Sequence, residues 1–314
     1  MFQNMLTYRL VVAVMLVFMA CNPSESTTPS DGSVTLYAVT TGADSTFAAE
    51  PSIEPIAVLR NDNLEKPIPI LPENSTTEAF DQALSKASLR FFPANGNFFL
   101  YSGGTLNGKA LILPSTESEG GTVSGLVSPV KLEAKTLNAE RFAVAANSDK
   151  FSVSNRVVRP LSAQERAAIL PIARTTFAQN GVSAALLDSI QTQAIRVYNI
   201  DGQGTDTVIG DFIIEHRSSS TEGDATISRE LLFVIIEKEQ GNFVIRTSAF
   251  GSSGEFATEE SQMIDLVDVL DLDRDGTFEV FARRNMAETY DFVIYKKQRN
   301  GWKMIYQGGG GGIN

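Results

Sequence analysis

The spacing of apolar positions changes three times along this chain. Residues 10–20 form an unbroken apolar run. It is shorter than the roughly 20 residues a membrane-spanning helix needs, and within the roughly 7–15 of a secretory signal core. Residues 22–32 are rich in Ser, Thr and Pro and carry no large apolar side chain, so with nothing to bury they are expected to act as a flexible tether. From Ser33 to Arg159 the apolar segments are short, at 34–39, 55–59, 98–101, 110–113 and 141–145, and glycine-containing turns such as Gly103-Gly104, Asn107-Gly108 and Gly120-Gly121 separate them. That pattern predicts an antiparallel, sandwich-like β domain over 33–159.

The pattern shifts at Pro160. Ser162 and Glu165 have capping-box spacing ahead of an Ala- and Ile-rich stretch, which predicts a helix to Phe177, ended by Asn180-Gly181 and kinked or shortened by Pro171. A second short helix is expected over 184–191. Beyond Arg196 the chain repeats itself. Residues 199–208 align without gaps on 271–280, and 233–236 with Gly241 and Phe243 correspond to 292–295 with Gly301 and Trp302. Each copy reads as strand, acidic loop, strand and a hairpin closed at glycine. The fold class expected is therefore mainly β: the first domain, then an α+β domain over 160–314 with two β-repeat units at about 196–246 and 268–306.

Composition narrows the chemistry. Cys21 is the single cysteine and His216 the single histidine, which excludes disulfide scaffolds, multi-histidine metal sites and cysteine zinc sites. The charge is acidic, 37 Asp plus Glu against 26 Lys plus Arg. That argues against nucleic acid as a partner and suits a body that binds cations.

The second copy's loop is the best candidate for such binding. Asp271, Asp273 and Asp275 alternate, Gly276 permits a sharp turn, and Glu279 returns a fourth carboxylate. Calcium takes six to eight oxygen ligands, which alternating carboxylates on a tight turn can supply. An EF-hand is excluded, because its twelfth loop position would be Ala282 and the flanking segments favour strands. The first copy retains only Asp201 among these acids, with Asn199, Gln203 and Thr207 in the other places, and is expected to be a turn without metal.

Two resemblances extend this reading. The junction Phe18-Met19-Ala20-Cys21 resembles the lipobox of bacterial lipoproteins, which implies removal of residues 1–20 as a signal peptide, lipidation of Cys21 and a tether over 21–32. Asn22 is not an acidic retention signal, which implies the outer membrane, facing the periplasm or cell surface. The Asp-x-Asp-x-Asp-Gly loop resembles the calcium loop of FG-GAP repeats, which lies between two strands. By that resemblance Asp271, Asp273, Asp275 and Glu279 would be side-chain ligands, with the carbonyl of Thr277 added. Two copies cannot close a propeller, so the resemblance extends to the loop and not to the fold.

Other motifs carry less. Ser128-Pro-Val-Lys131 and Ser148-Asp149-Lys150 are similar to signatures of serine β-lactamases, but Ser128 precedes proline in a strand-like segment and no Lys-Thr-Gly follows. His216 has no Gly-x-Ser-x-Gly elbow to serve and is expected at a strand end or surface. Asn74-Ser-Thr76 matches a glycosylation acceptor, incidental in a bacterial lipoprotein. Lys296, Lys297, Arg299 and Lys303 are expected on a solvated face that balances the acidic loop, and Gly308 to Gly312 are expected to be too flexible to pack, although such a run can approach another backbone closely. The expected role is a non-enzymatic envelope lipoprotein with a structural calcium loop, attached to the membrane by its lipid and binding a protein or glycan not identifiable from sequence. The alternative is an envelope hydrolase using two carboxylates that face each other in a cleft.

Overall fold

The computed structural model describes residues 32–41, 50–67, 76–94, 96–113, 126–134, 141–151, 158–193, 195–219, 225–254 and 262–312. Cys21, the leader and all of the tether but Gly32 lie outside the described residues, as does Asn74.

The first sheet is built from β1 (Val34–Thr40), β2 (Ser52–Arg60), β3 (Asn63–Glu65), β4 (Asn97–Ser102), β5 (Thr105–Ile112), β6 (Ser128–Ala134) and β7 (Phe142–Ala146), with helix α1 (Thr77–Phe91) between β3 and β4. The strands run antiparallel in the order β1-β7-β4-β5-β6-β2-β3, and β1 also pairs with β2, so six of them close on themselves. Closure buries β1 and β7 on both faces. Tyr37, Val39, Ala143 and Ala145 join an inner core with Phe98 and Leu100, while Leu36, Ala38, Val144 and Ala146 join a second core outside. Strands buried on two sides lose the alternation of a half-exposed sheet, which is why these segments read as continuous apolar runs. Helix α1 is an addition to the strand-only expectation. Thr76 caps it by accepting from the Ala79 N–H at 3.2 Å, and its last residue, Phe91, enters the inner core and accepts a hydrogen bond from Tyr37 Oη at 2.9 Å. Residues 78–91 contain no Gly, Pro or β-branched residue, which is the sequence signal for it.

The second sheet follows: β8 (Val158–Arg159), α2 (Ala163–Gln179), a 3-10 turn (Leu187–Ser189), β9 (Gln191–Thr192), β10 (Arg196–Asn199), β11 (Asp206–Ser219), β12 (Ala225–Glu239) and β13 (Asn242–Ser253). Both bonds of the Ser162–Glu165 capping box form. Arg159 clamps Glu165 through two 2.7 Å bonds, and these hold the Glu165 carboxyl down at about 2. Helix α2 continues through Pro171 rather than ending there. Pro171 and Ala167, whose carbonyl loses its partner, are both exposed, so water can satisfy that group. Ile169, Ala173 and Phe177, four residues apart on one face, are buried against the sheet. The second expected helix is only the 3-10 turn.

The third sheet is a meander of β14 (Met263–Leu270), β15 (Glu279–Asn285), β16 (Thr289–Gln298) and β17 (Gly301–Gly312). The internal repeat is thus two four-stranded antiparallel units, β10 to β13 and β14 to β17. They share a core in which Ile209, Phe233 and Ile235 of the first meet Val280, Ala282 and Val293 of the second. The opposite face of the third sheet, with Leu270, Phe281, Phe292 and Ile294, packs on Leu36, Ala57 and Val144 of the first sheet. The third sheet therefore lies between the other two in a sandwich-like layering.

The glycine run is not slack. It extends β17 along β16, Gly308 opposite Phe292 and Gly311 opposite Tyr290, with a one-residue bulge between these pairs. A Cβ on Gly310 would lie 2.1 Å from the Tyr290 carbonyl oxygen, and one on Gly309 2.8 Å from that of Ile56 on β2. Glycine is required because two backbones approach closer than any side chain allows.

Candidate metal loop

Residues 271–278 join β14 to β15. Leu272 and Phe278 are buried and pin the loop at both ends, and the Phe278 N–H donates to the Ile200 carbonyl at 2.9 Å, tying it to the loop of the first repeat. Between them Arg274 and Gly276 adopt positive φ, 59° and 88°, which folds the chain tightly. The acids brace this turn: Asp271 Oδ2 accepts from the Gly276 N–H at 3.1 Å, Asp273 Oδ1 from Asp275 at 3.4 Å, Asp275 Oδ1 from Thr277 at 2.7 Å and Glu279 Oε2 from Leu272 at 2.8 Å. Turn formation accounts for part of the acidic pattern, as Asp and Gly do in many loops.

Turn bracing does not by itself require the carboxylates to converge, and they do. Candidate ligand atoms of Asp271, Asp273 and Asp275, one carboxylate oxygen from each, all lie within 4.8 Å of one another. Two oxygens bound to one calcium at roughly 2.3–2.6 Å can be at most about 5 Å apart, so the three are spaced to share an ion. The donors are all hard oxygens, which suits calcium or magnesium and not a soft metal. Asp271 is buried, whereas Asp273 and Asp275 are exposed, so the cluster opens to solvent on one side. Glu279 is outside this trio, and its side chain is 1% exposed. Thr277 follows Asp275 at the end of the turn.

A lysine reaches the same cluster. Lys296 Nζ, from β16, is bonded to Asp273 Oδ2 and lies 2.9 Å from both Asp275 Oδ2 and Glu279 Oε1. Its side chain is 19% exposed, so the expected solvated face is a partly buried counter-ion instead. Burial alone would lower the Lys296 pKa, but the bonds from Asp273, Asp275 and Glu279 hold it above the ordinary lysine range. Glu279 is pushed up to about 7 by burial, with the Leu272 N–H and Lys296 opposing. Burial also acts upward on Asp275, yet its bonds from Lys296 and Thr277 keep it below the usual carboxylate range.

The first repeat's loop is arranged differently. Asp201 Oδ1 accepts from the Gln203 N–H at 2.9 Å, and its Oδ2 meets Lys297 Nζ at 3.3 Å. Lys297 also pairs with Glu237 at 2.9 Å, and Trp302 Nε1 donates to the same carboxylate at 3.1 Å. The loop supplies a single acid, which sits in an ion-pair network.

A carboxylate pair lies elsewhere, between the second and third sheets. Asp211 on β11 is 2% exposed, and its Oδ2 accepts from the Leu266 N–H at 3.4 Å, covering the outer edge of β14. Burial and then the nearby Asp265 raise its pKa well above the ordinary carboxylate value, which favours the neutral acid. An acid between Gly210 and Phe212 in an apolar strand was the available sequence signal. Ser128 opens strand β6 rather than a helix, and His216 lies on β11 opposite Ser228. No family model, curated protein or solved structure matches this chain, so the functional reading rests on the geometry of its own residues.

Proposed function

We propose that the chain is a lipid-anchored envelope protein with a binding or structural role, whose second repeat is locked by a calcium ion. Asp271, Asp273 and Asp275 would supply side-chain oxygens, Glu279 a fourth, and the Thr277 carbonyl another, as in an FG-GAP loop. The observation that carries the reading is the convergence of three Asp oxygens within 4.8 Å on a turn between two strands. Calcium would join β14 to β15 next to both cores of the third sheet. Lys296 is the cation that balances these acids without metal, and it would swing toward solvent as calcium enters. Calorimetric titration of the purified protein with calcium tests this directly.

The alternative of a hydrolase with paired carboxylates has one observation in its favour, the Asp211–Asp265 neighbourhood. It is the weaker reading, because both carboxyls of such a pair must face substrate, and Asp211 is sealed under β14. The anchor has its own test. Cys21→Ser should abolish labelling by a fatty-acid probe in a bacterial host, and persistent labelling would end the lipoprotein reading.

A further inference from the structure

A cavity of about 550 Å³ opens where the three sheets meet at the start of β14, within the roughly 300–1,000 Å³ common for small-ligand sites. Part of its wall is apolar, with Ile213 and Leu231 paired across β11 and β12 and Met263 beside them. Among the described residues, three arginines, Arg141, Arg229 and Arg283, line it against a single acid, Asp265.

Their states differ. Arg229 is paired with Glu215 at 2.9 Å, and Asp265 accepts from Asn285 Nδ2 at 2.8 Å. Arg283 is held by its faces instead: its guanidinium lies 3.9 Å from the Tyr290 ring centroid and 5.8 Å from that of Phe142. Its Nε is buried without a hydrogen-bond partner. Arg141 stacks on Phe142 from 5.1 Å. Among the described residues, the acids that face Arg283 are Asp265, opposite it on β14, and Glu54, already bonded by Tyr290 Oη at 2.7 Å. A guanidinium fixed in orientation by aromatic faces, with donors left in its plane, is pre-set for a planar two-oxygen acceptor.

We propose that this cavity binds a small organic carboxylate with an apolar tail, its carboxylate on Arg283 beside Arg141 and its tail over Ile213 and Leu231. A planar carboxylate matches the fixed plane of the Arg283 guanidinium, whereas the second charge of a phosphate doubles its repulsion from Asp265 and Glu54 along with its attraction to the arginine and so adds little.

The test is calorimetric titration of the purified protein with octanoate, octanamide and octyl phosphate. Octanoate should bind one to one, octanamide at least about tenfold more weakly for the loss of roughly one charge-assisted interaction, and octyl phosphate no more tightly than octanoate. Arg283→Gln should lose octanoate by a similar factor. Ala287→Trp, at the exposed rim, should block it without touching the arginines, so the test survives if Arg283→Gln fails to fold. Octanoate that does not bind, octanamide that binds equally, octyl phosphate that binds more tightly, or octanoate binding unchanged in a folded variant would each overturn the proposal.

Discussion

Lys296 and Lys297 are neighbours on β16 and neutralise the acidic loops of different repeats. Lys296 lies among Asp273, Asp275 and Glu279 of its own loop, while Lys297, pointing the other way, bridges Asp201 and Glu237 of the preceding repeat. Successive side chains on a strand face opposite sides, so two adjacent lysines serve two layers. One repeat's acids are thus tied into the fold across the shared core, and the other's surround a single flexible ammonium.

That difference makes Lys296 a competitor for metal. Lys296→Gln should destabilise the metal-free protein by roughly 1–3 kcal/mol, less than breaking a fully buried pair, because Glu279 can take up a proton. The same variant should bind calcium more tightly than the parent, since no ammonium has to leave. Denaturant unfolding with and without calcium reads both effects, and unchanged affinity would show that Lys296 and the ion do not share a place.

Asp211 sets an expected pH dependence. Its folded pKa is raised, so between the ordinary carboxylate value and that raised value the unfolded chain ionises while the native one does not, and stability falls as pH rises through this window. Asp211→Asn removes the ionisation but keeps an acceptor for the Leu266 N–H. The Tm of the variant relative to the parent should therefore increase from pH 4 to pH 8, a window set by the ordinary carboxylate pKa of about 3.9. A difference that is constant over that range would mean Asp211 is ionised in the fold.

The glycine run predicts a contrast between two positions. Gly310 has φ +82° with the Tyr290 carbonyl in the way, and Gly241 has φ +88° with nothing within 4 Å. Gly241→Ala should cost only the left-handed backbone penalty of about 1–2 kcal/mol. Gly310→Ala should cost distinctly more, because β17 must also move away from β16. Equal urea midpoints would mean that β17 does not pack as closely as described.

Much of this was legible in the chain, and what was not has physical reasons. The repeat was visible because each copy must close the same meander, with glycine at the hairpin and apolar residues at matched strand positions such as Phe233 and Phe292. The loop was visible because carboxylates that converge on one turn leave an alternating acidic pattern. Helix α1 is legible in the helical spacing of Phe80, Leu84, Ala87 and Phe91 and in the absence of helix breakers over 78–91, although the strand-sized segments on both sides of it point to β alone. The closure of the first sheet was hidden because pairing of β1 with both β2 and β7 depends on contacts distant in sequence. The roles of Lys296 and Gly310 were equally hidden, since each is defined by what the fold places opposite it. Glu279 could be read as an acid of the loop, but its burial and its bond from the Leu272 N–H could not.

Calcium binding by the second loop is the central claim, and differential thermal unfolding of three purified proteins tests it most directly. A ligand that binds only the native state raises Tm by mass action. Calcium should raise the Tm of the parent, and Asp273→Ala should lose most of that rise, since Asp273 belongs to the converging trio. Asp201→Ala, in the loop that offers one acid, should retain it nearly whole. A parent whose Tm is indifferent to millimolar calcium, or equal loss of the response in both variants, would contradict the assignment.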